Sequence, residues 1–114
     1  MSDCLFCKIR DGELPTEIVW QDDQALAFRD LHPQAPTHIL VIPRQHITSL
    51  AAAKKPDAAL LGHLQFSVAE VARLSGVAES GYRVVCNSGT QGGQTVLHLH
   101  LHVLGGRAMN WPPG

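Results

Sequence analysis

From Leu97 to Val103 the chain alternates an apolar residue with a histidine, LHLHLHV, without a break. That period of two belongs to a β-strand, not to a helix. It predicts a strand over TVLHLHLHVLGG with Leu97, Leu99, Leu101 and Val103 on one face. His98, His100 and His102 then share the other. The apolar face demands a cover, so the chain must build a sheet with another layer packed on it. Neighbouring histidines on such a face lie about 7 Å apart and the outer pair about 13 Å, so two could share a metal ion but three could not.

The other segments fill in the layers. CLFCKIRDGE carries apolar Leu5, Phe6 and Ile9 and reads as one or two helical turns ending at Gly12. TEIVWQDD and ALAFRDL read as a hairpin turning at Asp-Asp-Gln, and HPQAP is a proline-punctuated loop. THILVIPR is almost continuously apolar and β-branched, which predicts a central strand ending at Pro43. Pro56 opens a helix whose stripe is Leu61, Leu64, Val68 and Val71, with Gly76 as its C-cap. GYRVVCNSG is a further strand with Cys86 a packed thiol inside it, and TQGGQ is a glycine-rich turn. Residues 1–114 read as one α+β domain: a mainly antiparallel five-stranded meander with one main helix on a face.

Composition narrows the function classes. A formal net charge of −1 leaves no basic excess for binding nucleic acid or a membrane surface non-specifically. No apolar run approaches the ~20 residues of a membrane span. The N-terminal stretch is acidic and lacks an apolar signal region, so a cytoplasmic location is expected. Three cysteines, an odd number, argue against a disulfide framework; Cys4 and Cys7 instead form a C-x-x-C, which asks for a metal or for redox chemistry.

The turn NSGTQGGQT directly precedes the histidine strand. Its glycines let backbone N–H groups converge on an anion, and Ser88, Thr90 and Thr95 add hydroxyl donors. Asn87 can donate and accept there, or simply close the turn. Histidines beside an N–H-rich turn suit a phosphate, because neutral imidazole is a good nucleophile near neutral pH.

These residues resemble a known family. HLHLHVL is similar to the signature of the histidine triad (HIT) superfamily of nucleotide hydrolases and transferases. PQAPTHILVIPRQHI, NSGTQGGQTVLHLHLHVLGGR and NWPPG resemble its Hint branch, the histidine triad nucleotide-binding proteins. The resemblance runs from about Cys4 to Gly114. It implies a HIT-like fold whose sheet continues across a homodimer, and hydrolysis of purine nucleoside phosphoramidates, with acyl-adenylates as further substrates. It implies that His100 attacks the α-phosphorus to form a covalent nucleotidyl-histidine. His102 would contact the phosphate or the leaving group, and His38 would support the histidine network. Asn87, Gly93 and Thr95 would hold the α-phosphate. Phe6, Ile9 and Leu14 would wall the base, and Phe28, Arg29, Asp30 and Leu31 would line the base and ribose pocket, with Asp30 accepting from ribose hydroxyls. Arg29 departs from a histidine expected in animal relatives. Trp111 would reach the neighbouring subunit's site. The apolar walls do not choose adenine over guanine.

An amine leaving group must be protonated as it departs, and a histidine beside the nucleophile can do that. No acidic cluster is present to hold magnesium, so no catalytic metal is expected. A tetrahedral zinc needs two ligands beyond Cys4 and Cys7. His46 and His98 are the best candidates, and the resemblance supports a structural zinc there. His32 and His63 read as surface or internally satisfied histidines. Competing readings are a dinucleoside polyphosphate hydrolase or nucleotidyl transferase of the same superfamily, and a nucleotide-binding regulatory protein. A metal-dependent hydrolase using His98 and His100 lacks its acidic ligand.

Overall fold

A computed structural model describes residues 3–114. Met1 and Ser2, the start of the acidic N-terminal stretch, lie outside the described residues. Helix α1, Leu5–Arg10, is capped by Cys4, whose Sγ accepts from the Cys7 N–H at 3.4 Å. It ends before Gly12, at φ 77°, a conformation glycine adopts without a Cβ penalty. Strands β1 (Ile18–Gln21) and β2 (Ala25–Arg29) form the expected hairpin. Asp22 holds its turn, accepting at Oδ1 from the Gln24 and Ala25 N–H groups. Its Oδ2 lies 2.6 Å from Nε2 of His63, so His63 ties the turn to the main helix. Strand β3, Thr37–Pro43, is the middle strand, buried along all but its first residue.

Helix α2, Ala58–Leu74, follows two short 3₁₀ turns, Leu50–Ala52 and Lys55–Asp57, the second containing Pro56. Its stripe of Leu64, Val68 and Val71 packs on Ala25, Ala27, Ile39, Val41, Leu99, Leu101 and Val103, with Leu61 at the margin. Period-two alternation sends the intervening residues to the opposite face. There Phe6 of α1 covers Leu26, Phe28, Leu40 and Ile42.

Strands β4 (Tyr82–Val85) and β5 (Leu101–Gly105) complete an all-antiparallel sheet, but its order is β1-β2-β3-β5-β4 and not a meander. The burial pattern explains the insertion. Leu101 and Val103 face α2 while His102 faces the other way, so β5 needs cover on both faces and takes the inner position. Tyr82 and Val84 are exposed, which β4 tolerates at the edge.

The histidine strand is shorter than its alternation predicts. Residues 96–98 form a bend and the ladder starts at Leu101. The register that pairs Val41 with Leu101 sets Pro43 opposite Leu99, and proline has no N–H with which to extend the ladder. Leu99 instead donates its N–H to the Ile47 carbonyl at 2.6 Å. It keeps its place under α2, but Leu97, expected there too, is 63% exposed. Cys86 likewise lies one residue beyond β4, half-buried against the helix-side core.

Candidate functional site

Strands β3 and β5 bring His38 and His102 together on the face opposite α2. Their register pairs His38 with Leu104 and His102 with Leu40. Backbone groups of known polarity set the proton positions. The Gln34 N–H donates to His38 Nδ1 at 3.0 Å, so that nitrogen is unprotonated and neutral His38 carries its proton on Nε2. His38 Nε2–H then donates to His102 Nδ1 at 2.9 Å, which leaves neutral His102 with its proton on Nε2. Burial lowers the His38 pKa against the opposing pull of Asp30, whose Oδ2 is 3.5 Å from Nε2. Burial, then His100 and His38, push His102 down to about 4, again with Asp30 opposing. Both rings are therefore neutral at pH 7.

His100 carries the complementary tautomer. The His98 carbonyl accepts from its Nδ1–H at 2.7 Å, so the neutral ring keeps its lone pair on Nε2. Phe6 stands edge-on to it at 5.1 Å, and the His102 ring lies 5.0 Å away. A lone pair on one ring and an N–H donor on its neighbour suit nucleophilic attack followed by protonation of a leaving group.

Both rings line a cavity of about 400 Å³, within the range of small-ligand sites. Of the residues expected there, Phe6, Ile9, Leu14, Phe28, Arg29, Asp30, Leu31 and Thr95 also line it. Arg29 donates from Nε to Glu17 at 2.7 Å at the rim. Leu5, Pro15, Thr16, His32, Leu40 and Val96 complete the lining without having been expected. Leu40 was within reach of pattern reasoning, because it alternates with Ile39 and Val41 onto the His38 face. His32 follows Asp30 by two residues and gives its N–H to Asp30 Oδ1 at 2.8 Å.

Three expected residues are not on this cavity. Asn87 closes the glycine turn by donating to the Gly92 carbonyl at 2.7 Å. Gly93 has φ 81° within that turn. Gln94 clips the turn from inside: its Oε1 accepts from the Gly89 N–H, and its Nε2 donates to the Thr48 and Val96 carbonyls. Trp111 is 80% exposed, beside the Arg83 guanidinium at 5.9 Å.

A second cluster gathers Cys4, Cys7, His46 and His98, whose ligand atoms all lie within 4.8 Å of one another. His98 is fully buried, and its Nε2–H donates to the Pro43 carbonyl at 2.9 Å. That bond turns the Nδ1 lone pair toward Cys4 Sγ (3.3 Å), Cys7 Sγ (3.5 Å) and His46 Nδ1 (3.1 Å). Two thiols and two imidazoles, one held in the ligating tautomer by a backbone carbonyl, fit a tetrahedral zinc. Asp30, His38 and His102 are as close to one another. They do not fit a cation: one His38 nitrogen accepts from Gln34 and the other carries the proton shared with His102. No helix among the described residues is long and apolar enough to cross a membrane.

Comparison with known proteins points to one family. The HIT domain family matches residues 11–109. An uncharacterized HIT-like protein of Synechococcus elongatus is 55% identical over 112 residues, covering 98% of this chain and 97% of the relative. A 14 kDa zinc-binding protein of Zea mays is 50% identical over 115 residues, covering 99% and 89%. The crystal structure of a HIT family hydrolase from Legionella pneumophila superposes with a TM-score of 0.96 at 49% identity, over 98% of this chain and 100% of the other. A histidine triad protein from Clostridium difficile gives 0.93 at 42% identity, over 96% of each.

Proposed function

The chain belongs to the HIT domain family, and from that premise we propose that it is a purine nucleoside phosphoramidase of the Hint type. The observation that carries the reading is the pair of opposed tautomers: a bare Nε2 on His100 beside an Nε2–H on His102. The base and ribose enter the cavity lined by Phe6, Ile9, Leu14, Phe28 and Leu31, with Asp30 toward the sugar hydroxyls. Donors of the glycine turn, Asn87, Gly93 and Thr95, move onto the α-phosphate.

His100 Nε2 attacks phosphorus and forms a P–N bond as the substrate's P–N bond breaks. The amine leaves with the proton from His102 Nε2; the negative charge left on that ring is balanced by the imidazolium charge His100 gains on bonding to phosphorus and is stabilised by the His38 Nε2–H donated to His102 Nδ1. Water then attacks the nucleotidyl-His100. His102 recovers a proton from it, and the nucleoside monophosphate departs from a regenerated His100. Proton transfer of this kind contributes ~10²–10⁴-fold.

Cys4, Cys7, His46 and His98 hold a zinc ion in this reading. It supplies a closed structural crosslink and no open coordination position. The relative from Zea mays described as zinc-binding supports this. A homodimer joins two sheets through β4, whose outward Tyr82 and Val84 are exposed, and brings Trp111 to the partner's cavity.

The test is release of amine from an adenosine 5′-phosphoramidate, with alkali-quenched mass spectrometry of the protein. The proposal expects turnover and an adenylated His100 in the wild type, and loss of both in His100→Ala. Full activity in that variant sinks the nucleophile assignment. Tight AMP binding without turnover of any phosphoramidate marks a binding protein instead.

A further inference from the structure

The metal cluster and the nucleotide cavity share walls. Helix α1 has six residues, too few to hold its shape alone, so tertiary contacts must fix it. Cys4 and Cys7 lie on either side of Phe6 and belong to the metal cluster. Phe6 is buried and meets three rings edge-on: Phe28 at 5.4 Å, His98 at 6.0 Å and His100 at 5.1 Å. Leu5, Phe6 and Ile9 of the same helix line the cavity. Arg10 also tethers α1, donating to the carbonyl of Arg44, one residue past β3, at 2.7 Å.

A second link runs through one residue. The His98 ring points its Nδ1 into the metal cluster, while the His98 carbonyl receives the His100 Nδ1–H. The ring that ligates and the carbonyl that sets the nucleophile's tautomer thus belong to one buried residue.

Resting on the nucleotide and zinc readings above, we propose that the metal cluster is energetically coupled to nucleotide binding. Phe6 and His98 are the positioning residues that carry the coupling. Filling the cluster clamps α1, presses Phe6 onto the base pocket and holds the His98 carbonyl against His100. Emptying it loosens all three. Coupling between two sites is reciprocal, so nucleotide must tighten zinc by the factor by which zinc tightens nucleotide. Cys4 and His46 also border a second, open hollow of about 590 Å³, a route by which a chelator can reach the ion.

The experiment measures AMP affinity by calorimetry on the zinc-loaded and chelator-stripped full chain, with circular dichroism on both. Zinc affinity is measured with and without saturating AMP against a chromophoric chelator. The expected result is a ~5-fold or larger loss of AMP affinity on stripping, within the usual range of such couplings. The same factor should appear in zinc affinity, and the His100 Nδ1–H signal should exchange faster with solvent. His46→Ala should match the stripped protein, and His46→Cys, which restores a fourth ligand outside the nucleotide cavity, should recover the loaded value.

Equal AMP affinity in both states, with the fold intact, overturns the proposal. Absence of AMP binding in both states sinks the nucleotide reading itself, and failure to take up zinc sinks the metal reading; each takes the coupling with it. Where the stripped chain unfolds, zinc release from wild type and Phe6→Leu is compared with and without saturating AMP. Retardation by AMP that is weaker in Phe6→Leu supports the coupling through Phe6, and equal retardation in the two proteins overturns it.

Discussion

Replacing His38 by leucine isolates the proton chain that ends at His102. The leucine side chain fills much of the buried site but offers neither donor nor acceptor. Two hydrogen bonds disappear, Gln34 N–H to Nδ1 at 3.0 Å and Nε2–H to His102 Nδ1 at 2.9 Å. Gln34 is exposed and its N–H regains water. His102 Nδ1 keeps facing a buried apolar group, and an unsatisfied acceptor of that kind costs about 1–3 kcal/mol. In a domain of this length each kcal/mol moves the Tm by roughly 4–8 °C, so a fall of about 5–20 °C is expected. Under the proposed phosphoramidase function, the catalytic effect follows from the tautomer. Without the His38 donor, His102 is free to carry its proton on Nδ1 and then presents no N–H to the leaving amine. A loss of about 10–100-fold in kcat is expected, short of the ~10²–10⁴-fold that a missing general acid costs. The loss should be greatest for strongly basic amines and smallest for anilines, which depart with less help. His38→Gln, whose amide can still donate to Nδ1, should recover part of the rate. The assays are single-turnover amine release and ¹⁵N spectra of His102. A His38→Leu protein with wild-type kcat and an unchanged His102 tautomer would falsify the proton chain.

Two further outcomes follow from the same contacts. The folded-state pKa of His102, about 4, lies below its ordinary value of 6.5, so the unfolded chain takes up this proton first as pH falls. Stability should therefore decline from pH 6.5 toward 4, and urea titrations should show a shallower decline in His102→Gln. Gly105→Ala places a Cβ 2.8 Å from Val77 Cγ1, and overpacking of that kind costs about 1–3 kcal/mol. Val77→Ala in the same chain should relieve much of that cost, leaving kcat unchanged in both variants, as denaturation and turnover assays on the double-mutant cycle will show.

Much of this architecture was legible because period and punctuation are local. The helix stripe from Leu64 to Val71, the Asp22 turn and the apolar run ending at Pro43 need no partner to be recognised. Register is not local. Nothing in LHLHLHV announces that Pro43 will stand opposite Leu99 and end the ladder, so Leu97 was placed under the helix when it is exposed. The strand order escaped for a related reason, since only the burial of Val103 on one face with the half-burial of His102 on the other shows that β5 belongs inside β4. In the site, the C-x-x-C spacing marked two cluster members, and His46 and His98, the best further candidates in the sequence, join them across 39 and 91 residues. Gln94 carried no signal at all: its role in clipping the glycine turn depends on the Thr48 carbonyl, which folding brings from a distant segment.

The placement of β5 also has a temporal side. It is the last strand in chain order, yet among the described residues β4 finds its only ladder partner in it. Strands β1 to β3 and helix α2 can associate through neighbouring segments, whereas β4 has nothing to pair with until β5 threads between it and β3. Closing that gap joins residues such as His38 and Leu104, and contacts of such sequence separation form slowly. Pulse-labelled hydrogen exchange should then protect β2 and β3 before β4, and early protection of β4 would contradict this order. The histidines that meet across that seam are thus assembled by the final strand insertion, and a partly folded chain has no competence to react.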